Sequence, residues 1–172
     1  NIAVQILSTK FENMNNNEGG AIHLKNCGIL CSNDCQFIKC SSSGEGGGGA
    51  IYINNPTEMV NIVKLIGLTF TSCNAPYGGA VYIYSASKTN TVLIDTCKFI
   101  GNHATGTSGN YGGSAIYLCT NNGTILFCTF RKNIGKGGSI KVVNDFDKQS
   151  AKVFEGNDNE MLHSIIDCTF EI

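Results

Sequence analysis

The chain has 172 residues, of which 42% are hydrophobic and 15% charged, and its formal net charge is −1. That length and apolar content suffice for one domain with a core, while the near-neutral balance without a basic run excludes the electrostatic footprint of a nucleic-acid binder. Twenty-one glycines, two prolines and no tryptophan point to short strands and tight turns, and no apolar run reaches the roughly 18 to 20 residues that a membrane-spanning helix needs.

In chain order, Asn1 to Leu7 reads as a strand, followed by Phe11 and then by Gly19-Gly20-Ala21-Ile22-His23-Leu24. The same two elements return four times. Phe37 precedes Gly48-Gly49-Ala50-Ile51-Tyr52-Ile53, and Phe70 precedes Gly78-Gly79-Ala80-Val81-Tyr82-Ile83. Phe99 precedes Gly112-Gly113-Ser114-Ala115-Ile116-Tyr117-Leu118, which has one extra residue, Phe130 precedes Gly137-Gly138-Ser139-Ile140-Lys141-Val142, and Phe170 opens a sixth unit. The glycine pairs recur every 25 to 34 residues, and a repeat of that size that cannot bury its own apolar face is the signature of a solenoid. Ile22, Ile51, Val81, Ile116 and Ile140 share a parity with the aliphatic residue two positions on, so that parity faces a core and His23, Tyr52, Tyr82, Tyr117 and Lys141 face out. A charge at Ile51 is therefore expected to be severely destabilising and one at Tyr52 much less so.

The phenylalanine element has its own columns. Two residues before each Phe stand Thr9, Cys35, Leu68, Cys97, Cys128 and Cys168, and three residues after stand Met14, Cys40, Cys73, Asn102 and Asn133. Five before stand Ile6, Ser32, Leu65, Ile94, Ile125 and Ile165, and seven before stand Val4, Leu30, Val63, Val92, Gly123 and His163. Leu7, Ile66, Leu126 and Ile166, four before, switch the apolar parity, which predicts a corner between two short strands. One turn varies in length between units (Asn13 to Glu18, Cys40 to Gly47, Asn74 to Tyr77, Asn102 to Tyr111, Asn133 to Lys136), as the lateral loops of a coil do. Asn144 to Asn159 reads as a longer excursion with one added strand, Ala151 to Phe154. Five nearly complete coils and a partial sixth, stacked at about 4.8 Å each, form a column roughly 25 to 30 Å long, a single domain over residues 1–172.

Gly-Gly-Ala-Ile/Val alternating with Phe-x-x-Asn resembles the repeat pair of the chlamydial polymorphic membrane proteins and of the Pmp-like surface proteins of trichomonad protists. The first motif is Gly19 to Ile22, Gly48 to Ile51 and Gly78 to Val81, loosened at Gly112 and Gly137; the second is Phe99 to Asn102 and Phe130 to Asn133, with Cys40 and Cys73 in place of Asn after Phe37 and Phe70. The resemblance covers nearly the whole chain. It implies an all-β, right-handed single-stranded parallel β-helix at the cell surface or outside the cell, with an adhesive or structural role, and it carries over no catalytic residue. The recurrent Cys-x-Phe leans toward the eukaryotic surface proteins.

Among candidate sites, the outward column His23, Tyr52, Tyr82, Tyr117 and Lys141 would either stabilise the stacked coils or offer a flat strip to a glycan or protein partner. Nine cysteines leave at least one thiol unpaired within the chain. Cys27, Cys31 and Cys35 lack the histidine or second close pair of a zinc site. The cysteines before each Phe read as inert core thiols, and Cys40 with Cys73 is the best-placed disulfide pair. Asn102 and Asn133 read as turn-capping amides, and Asn122-Gly123-Thr124, placed in a turn, is the one glycosylation sequon. No cofactor or metal is called for, although Asp145, Asp147 and Asp158 would suit a solvated loop or a weak calcium site. Carbohydrate-cleaving chemistry needs clustered carboxylates. Here Asp34 and Asp167 share a register four coils apart, Asp95 has Lys64 but no second acid nearby, His23, His103 and His163 fall in three registers, and Arg131 is the sole arginine. The expected function is thus a non-enzymatic extracellular β-helix, adhesive or scaffolding, with glycans or cell-surface proteins as partners. The alternatives are a polysaccharide-active enzyme and a filament subunit. Asn1 without a methionine suggests a processed product or an excerpt, and the strand at Asn1 to Leu7 and the half-coil at Ile165 to Ile172 suggest ends covered by further coils or by head-to-tail stacking of copies.

Overall fold

The computed structural model describes residues 3–44, 47–57, 60–107, 112–120, 122–143 and 162–171; the predicted excursion with its strand and acidic residues lies outside them. The fold is a single-stranded parallel β-helix. Each coil contributes one strand to each of up to four parallel sheets, called A to D here in chain order. The second coil, for example, runs through Ile29–Ser32, Gln36–Ile38, Ser41–Ser42 and Ile51–Asn55. Sheets A and B hold six strands, sheet D five and sheet C four. Every pairing between named strands is parallel, and like positions of successive repeats lie side by side, with Phe70 between Phe37 and Phe99 and Tyr82 between Tyr52 and Tyr117. No helix among the described residues is long and apolar enough to cross a membrane.

Two corners are built alike. Three residues before each Phe, between sheets A and B, the chain takes positive φ at Ser8, Asp34, Gly67, Thr96, Phe127 and Asp167; two residues after it, between sheets B and C, at Asn13, Lys39, Ser72, Gly101 and Lys132. One left-handed residue between two extended ones turns the chain sharply. It also aims the next residue's N–H into the interior, where a donor without an acceptor is costly. At the second corner an amide of the following coil supplies the acceptor: Cys73 N–H donates to Asn102 Oδ1 at 3.0 Å and Asn102 N–H to Asn133 Oδ1 at 2.9 Å. Each amide also donates to the Phe carbonyl of the coil before it, Asn102 to Phe70 at 3.2 Å and Asn133 to Phe99 at 3.0 Å. The amides read from the sequence as turn caps thus form a ladder, and Asn suits it because it accepts and donates at once.

At the first corner thiols take this part. Thr9, Leu68 and Cys97 N–H donate to the sulfurs of Cys35, Cys97 and Cys128 at 3.3, 3.5 and 3.4 Å. Cys97 and Cys128 in turn donate to the carbonyls of Asp95 and Leu126 at 3.2 and 3.1 Å. The cysteines therefore line the core as predicted, but as hydrogen-bonding groups as well as small apolar ones. Inside the corners the six phenylalanines stack with centroids 4.8–5.0 Å apart and ring planes within 10°. Phe37, Phe70, Phe99 and Phe130 are fully enclosed by Ile51, Ile53, Leu65, Ile94 and their equivalents.

The glycine pair precedes each strand of sheet D because the chain approaches itself there. A Cβ on Gly48 would stand 2.0 Å from the Ile51 carbonyl oxygen, and one on Gly49 2.1 Å from the Gly79 carbonyl oxygen of the next coil. In the fourth coil the register equates Gly113 and Ser114 with Gly78 and Gly79, so Gly112 is the extra residue, and Ser114 Oγ donates to Gly138 O at 3.0 Å.

Two sequence alignments need correction. In the second coil Ile29 and Cys31, not Leu30 and Ser32, pair with Val63 and Leu65, because two consecutive residues, Asn33 and Asp34, adopt positive φ where other coils use one. The turn of variable length between sheets C and D is also matched by a second one between D and A, which takes residues 26–28 in the first coil and residue 121 alone in the fourth.

The ladder predicts a graded response at Asn102. Asn102→Leu orphans the Cys73 N–H and the Phe70 carbonyl and should cost about 1–3 kcal/mol for each group, whereas Asn102→Cys retains a donor and acceptor and should cost less than half as much. Urea denaturation midpoints at constant m-value check this, and equal losses would reject the ladder as the reason for Asn.

Candidate functional site

The outer face of sheet D carries the side chains singled out in the sequence. The His23 ring meets Tyr52 edge-on at 4.9 Å, Tyr52 and Tyr82 are 5.1 Å apart at 32°, and Tyr82 and Tyr117 are 5.1 Å apart at 9°. Lys141 Nζ sits 5.8 Å from the Tyr117 centroid, a cation–π contact. All five are thus brought together. They do not form the flat exposed strip envisaged for a glycan, because the tyrosine faces are turned toward one another along the column and only edges point away. Tyr52, Tyr117 and Lys141 are only 6%, 9% and 3% exposed, so substituting Asp at Tyr52 should be nearly as damaging as at Ile51, contrary to the expectation from parity alone.

Tyr77, which the repeats did not single out, accounts for part of this enclosure. It sits at the start of the sheet D turn and packs edge-on against Tyr82 at 5.9 Å and Tyr117 at 5.2 Å. With Tyr84, Cys119 and Val143 these rings form a second apolar cluster outside the coil. Burial pushes the Tyr82 and Tyr117 hydroxyls well above the usual phenol range, with neighbouring Tyr and Cys groups adding to it, and burial pulls the Lys141 ammonium down. The tyrosines therefore remain neutral across the physiological range.

A buried polar column, also missed, lies where sheet D gives way to sheet A. Asn55 Oδ1 accepts from Cys27 N–H at 2.8 Å, its Nδ2 donates to Cys27 O at 3.3 Å, and Asn90 Oδ1 accepts from Asn61 N–H at 2.6 Å while its amide also contacts Ser85 Oγ. Asn55, Ser85 and Thr120 are register partners, so a polar residue at one offset in three successive copies was the available signal.

Cys40 and Cys73 occupy neighbouring coils in the Asn102 column. Their interaction as a side-chain pair draws the Cys40 thiol down, to about 7, and together with burial holds the Cys73 thiol up. Both are free and fully buried. Cys73 Sγ donates to Phe37 O at 3.5 Å and Cys40 Sγ to Phe11 O at 3.8 Å, the acceptor position Asn102 uses one and two coils on.

The acidic and basic candidates stay dispersed. Asp34 and Asp167 occupy the same corner position four coil steps apart, roughly 19 Å. Asp95 and Lys64 lie on the outer face of sheet A in adjacent coils, His23 is 3.6 Å from Glu18, His103 lies in sheet C and Arg131 in sheet B. His163 pairs through its backbone with Gly123 in sheet A. A shallow recess of about 250 Å³ at the first corner is lined by Ser8, Thr9, Lys10, Asn33, Asp34 and Gln36 and holds one carboxylate. Among the described residues no three His, Cys, Asp or Glu side chains gather to hold a metal ion. Asn122 is not in a turn. It begins the strand Asn122–Leu126 and is paired with Leu162, because only one residue connects sheets D and A in that coil.

The thiols provide a direct check. Only Cys27 and Cys168 are partly exposed among the nine, so a thiol reagent should label two groups quickly in the native protein and all nine after denaturation without reductant. Seven on denaturation would mean that Cys40 and Cys73 are joined, and rapid native labelling of Cys97 would contradict the corner arrangement. Comparison of the chain with protein-family models, with curated proteins and with solved structures returned no match.

Proposed function

We propose that the chain is a non-enzymatic β-helical module of an extracellular or cell-surface protein, a rigid rod that carries lateral segments used for adhesion or scaffolding. The observation that supports this most is the division of labour in the coil. Its interior is filled by the phenylalanine, thiol and amide ladders, its corners away from sheet D are constant but for one extra residue in the second coil, and the larger variation in length falls in the two turns flanking that sheet. Such a body holds variable segments at set heights along a column. The dispersed carboxylates support the same reading, since paired acid–base cleavage of glycosidic bonds uses carboxyl groups about 5 to 10 Å apart. The motif resemblance to bacterial and protist surface proteins favours the location. Partners of this reading are cell-surface glycans or proteins, met by the lateral segments and tyrosine edges rather than by exposed ring faces.

The test offers the purified chain to a panel of polysaccharides and to whole cells, scoring retention and the release of new reducing ends in parallel. Retention without release is the expected outcome. Release that disappears in Asp34→Asn, Asp95→Asn or Asp167→Asn would replace the adhesive reading by an enzymatic one.

A further inference from the structure

The outer face of sheet A differs from the other outer faces. Sheet B presents Lys10, Glu12, Gln36, Thr69, Lys98 and Arg131 with two isoleucines, Ile38 and Ile100, among them, and sheet C presents Asn15, Ser41, Asn74 and His103. Sheet A instead carries a band with more aliphatic side chains, Leu30 and Leu93 in one register column and Ile66, Leu126 and Ile166 in the next, over five successive coils; the first four are half-buried and Ile166 is 46% exposed. Parallel sheets are ordinarily covered on both faces, and here the inner face packs on the core while the outer one is open. Two charges interrupt the band near its middle, Lys64 in the strand Ile62–Ile66 and Asp95 in the neighbouring strand Thr91–Asp95. Neither belongs to an ion pair among the described residues, and Asp95 Oδ1 accepts from the Thr96 hydroxyl beside it.

We infer that this face is the contact surface for a second copy of the chain, packed sheet against sheet with the two columns antiparallel. Three features select that occupant. The band is aliphatic, which offers no ring to a sugar, and it holds one charge of each sign, which attracts neither nucleic acid nor an anionic surface. Its strands lie in register, and the complement of an open sheet face is another sheet about 10 Å away. Finally, its charges are self-complementary. A two-fold axis running along the strands between Ile62–Ile66 and Thr91–Asp95 sets one strand over the other with direction kept. Lys64 then lies over Leu93 of the second copy, about 6.6 Å along the strand and about 10 Å across the gap from its Asp95, a span that extended Lys and Asp side chains cover together, and the same pair forms again across the axis. Six strands of four or five residues span on the order of 400–500 Å² per copy, below the roughly 800 Å² per partner of a standard interface, so the dimer is reversible and concentration-dependent.

Sedimentation velocity over a concentration series, on protein made without glycans because Asn122 lies at the rim of this face, tests the inference. Wild type should shift from monomer to dimer as concentration rises. Lys64→Asp and Asp95→Lys should each weaken association by about tenfold or more, and the double exchange Lys64→Asp with Asp95→Lys should restore it. Leu93→Glu should also abolish the dimer, and thermal melting of each variant establishes that it remains folded. A monomer at every concentration, a dimer indifferent to Leu93→Glu in its folded form, or a double exchange no better than the single ones would each overturn the assignment.

Discussion

The structure depends on what happens to one backbone N–H after each left-handed corner residue. Turning an extended chain within a single residue, as at Thr96 or Gly101, points the following N–H inward, where no strand can pair with it. Leaving it bare in every coil would impose a cost on each corner. Where the next coil carries a Cys or Asn in the right column its side chain meets this, Cys35, Cys97 and Cys128 at the first corner and Asn102 and Asn133 at the second, so that such a coil completes the one before it. Stability of this kind is a nearest-neighbour property, and it explains why Cys and Asn recur at set offsets around a phenylalanine without any catalytic purpose.

A second constraint acts where the chain enters sheet D. The contacts of Gly48 with the Ile51 carbonyl and of Gly49 with the next coil leave no room for a side chain, so the two glycines recur as a pair. The residues just before them are unconstrained by either contact, which is why the turn there runs from five residues in the first coil (17–21) to eleven in the fourth (105–115). Rigid corners and a permissive one therefore follow from the same close packing of backbone on backbone.

Most of the fold was legible because those constraints act on every coil alike. The strand parity of sheet D, the core phenylalanines and the asparagine ladder all appear as columns in a stacked sequence. What was not legible arises in single coils. Leu30 with Ser32 fits an alternating pattern as well as Ile29 with Cys31 does, and only the doubled left-handed pair Asn33-Asp34 tells them apart, a conformation that Asn and Asp permit without announcing. Part of the burial on the outside of sheet D, at Tyr82 and Tyr117, comes from Tyr77, which stands in a turn and belongs to no column. Asn122 was misplaced for a similar reason, since one connecting residue instead of several turned an anticipated loop into a strand.

The thiol ladder also changes what the cysteine count can say about compartment. Nine cysteines in a short chain ordinarily invite a choice between an oxidising setting with disulfides and a reducing one with free thiols. Here Cys35, Cys97 and Cys128 are enclosed and already engaged as acceptors and donors, and joining any of them in a disulfide would remove the thiol proton that serves a carbonyl. Oxidation of such a group requires the coil to open first, so reactivity is governed by exposure and by the stability of the coil rather than by the surrounding redox potential. A surface location and a column of free thiols are compatible on that ground, and the cysteines bear on how the coil closes rather than on where the protein resides.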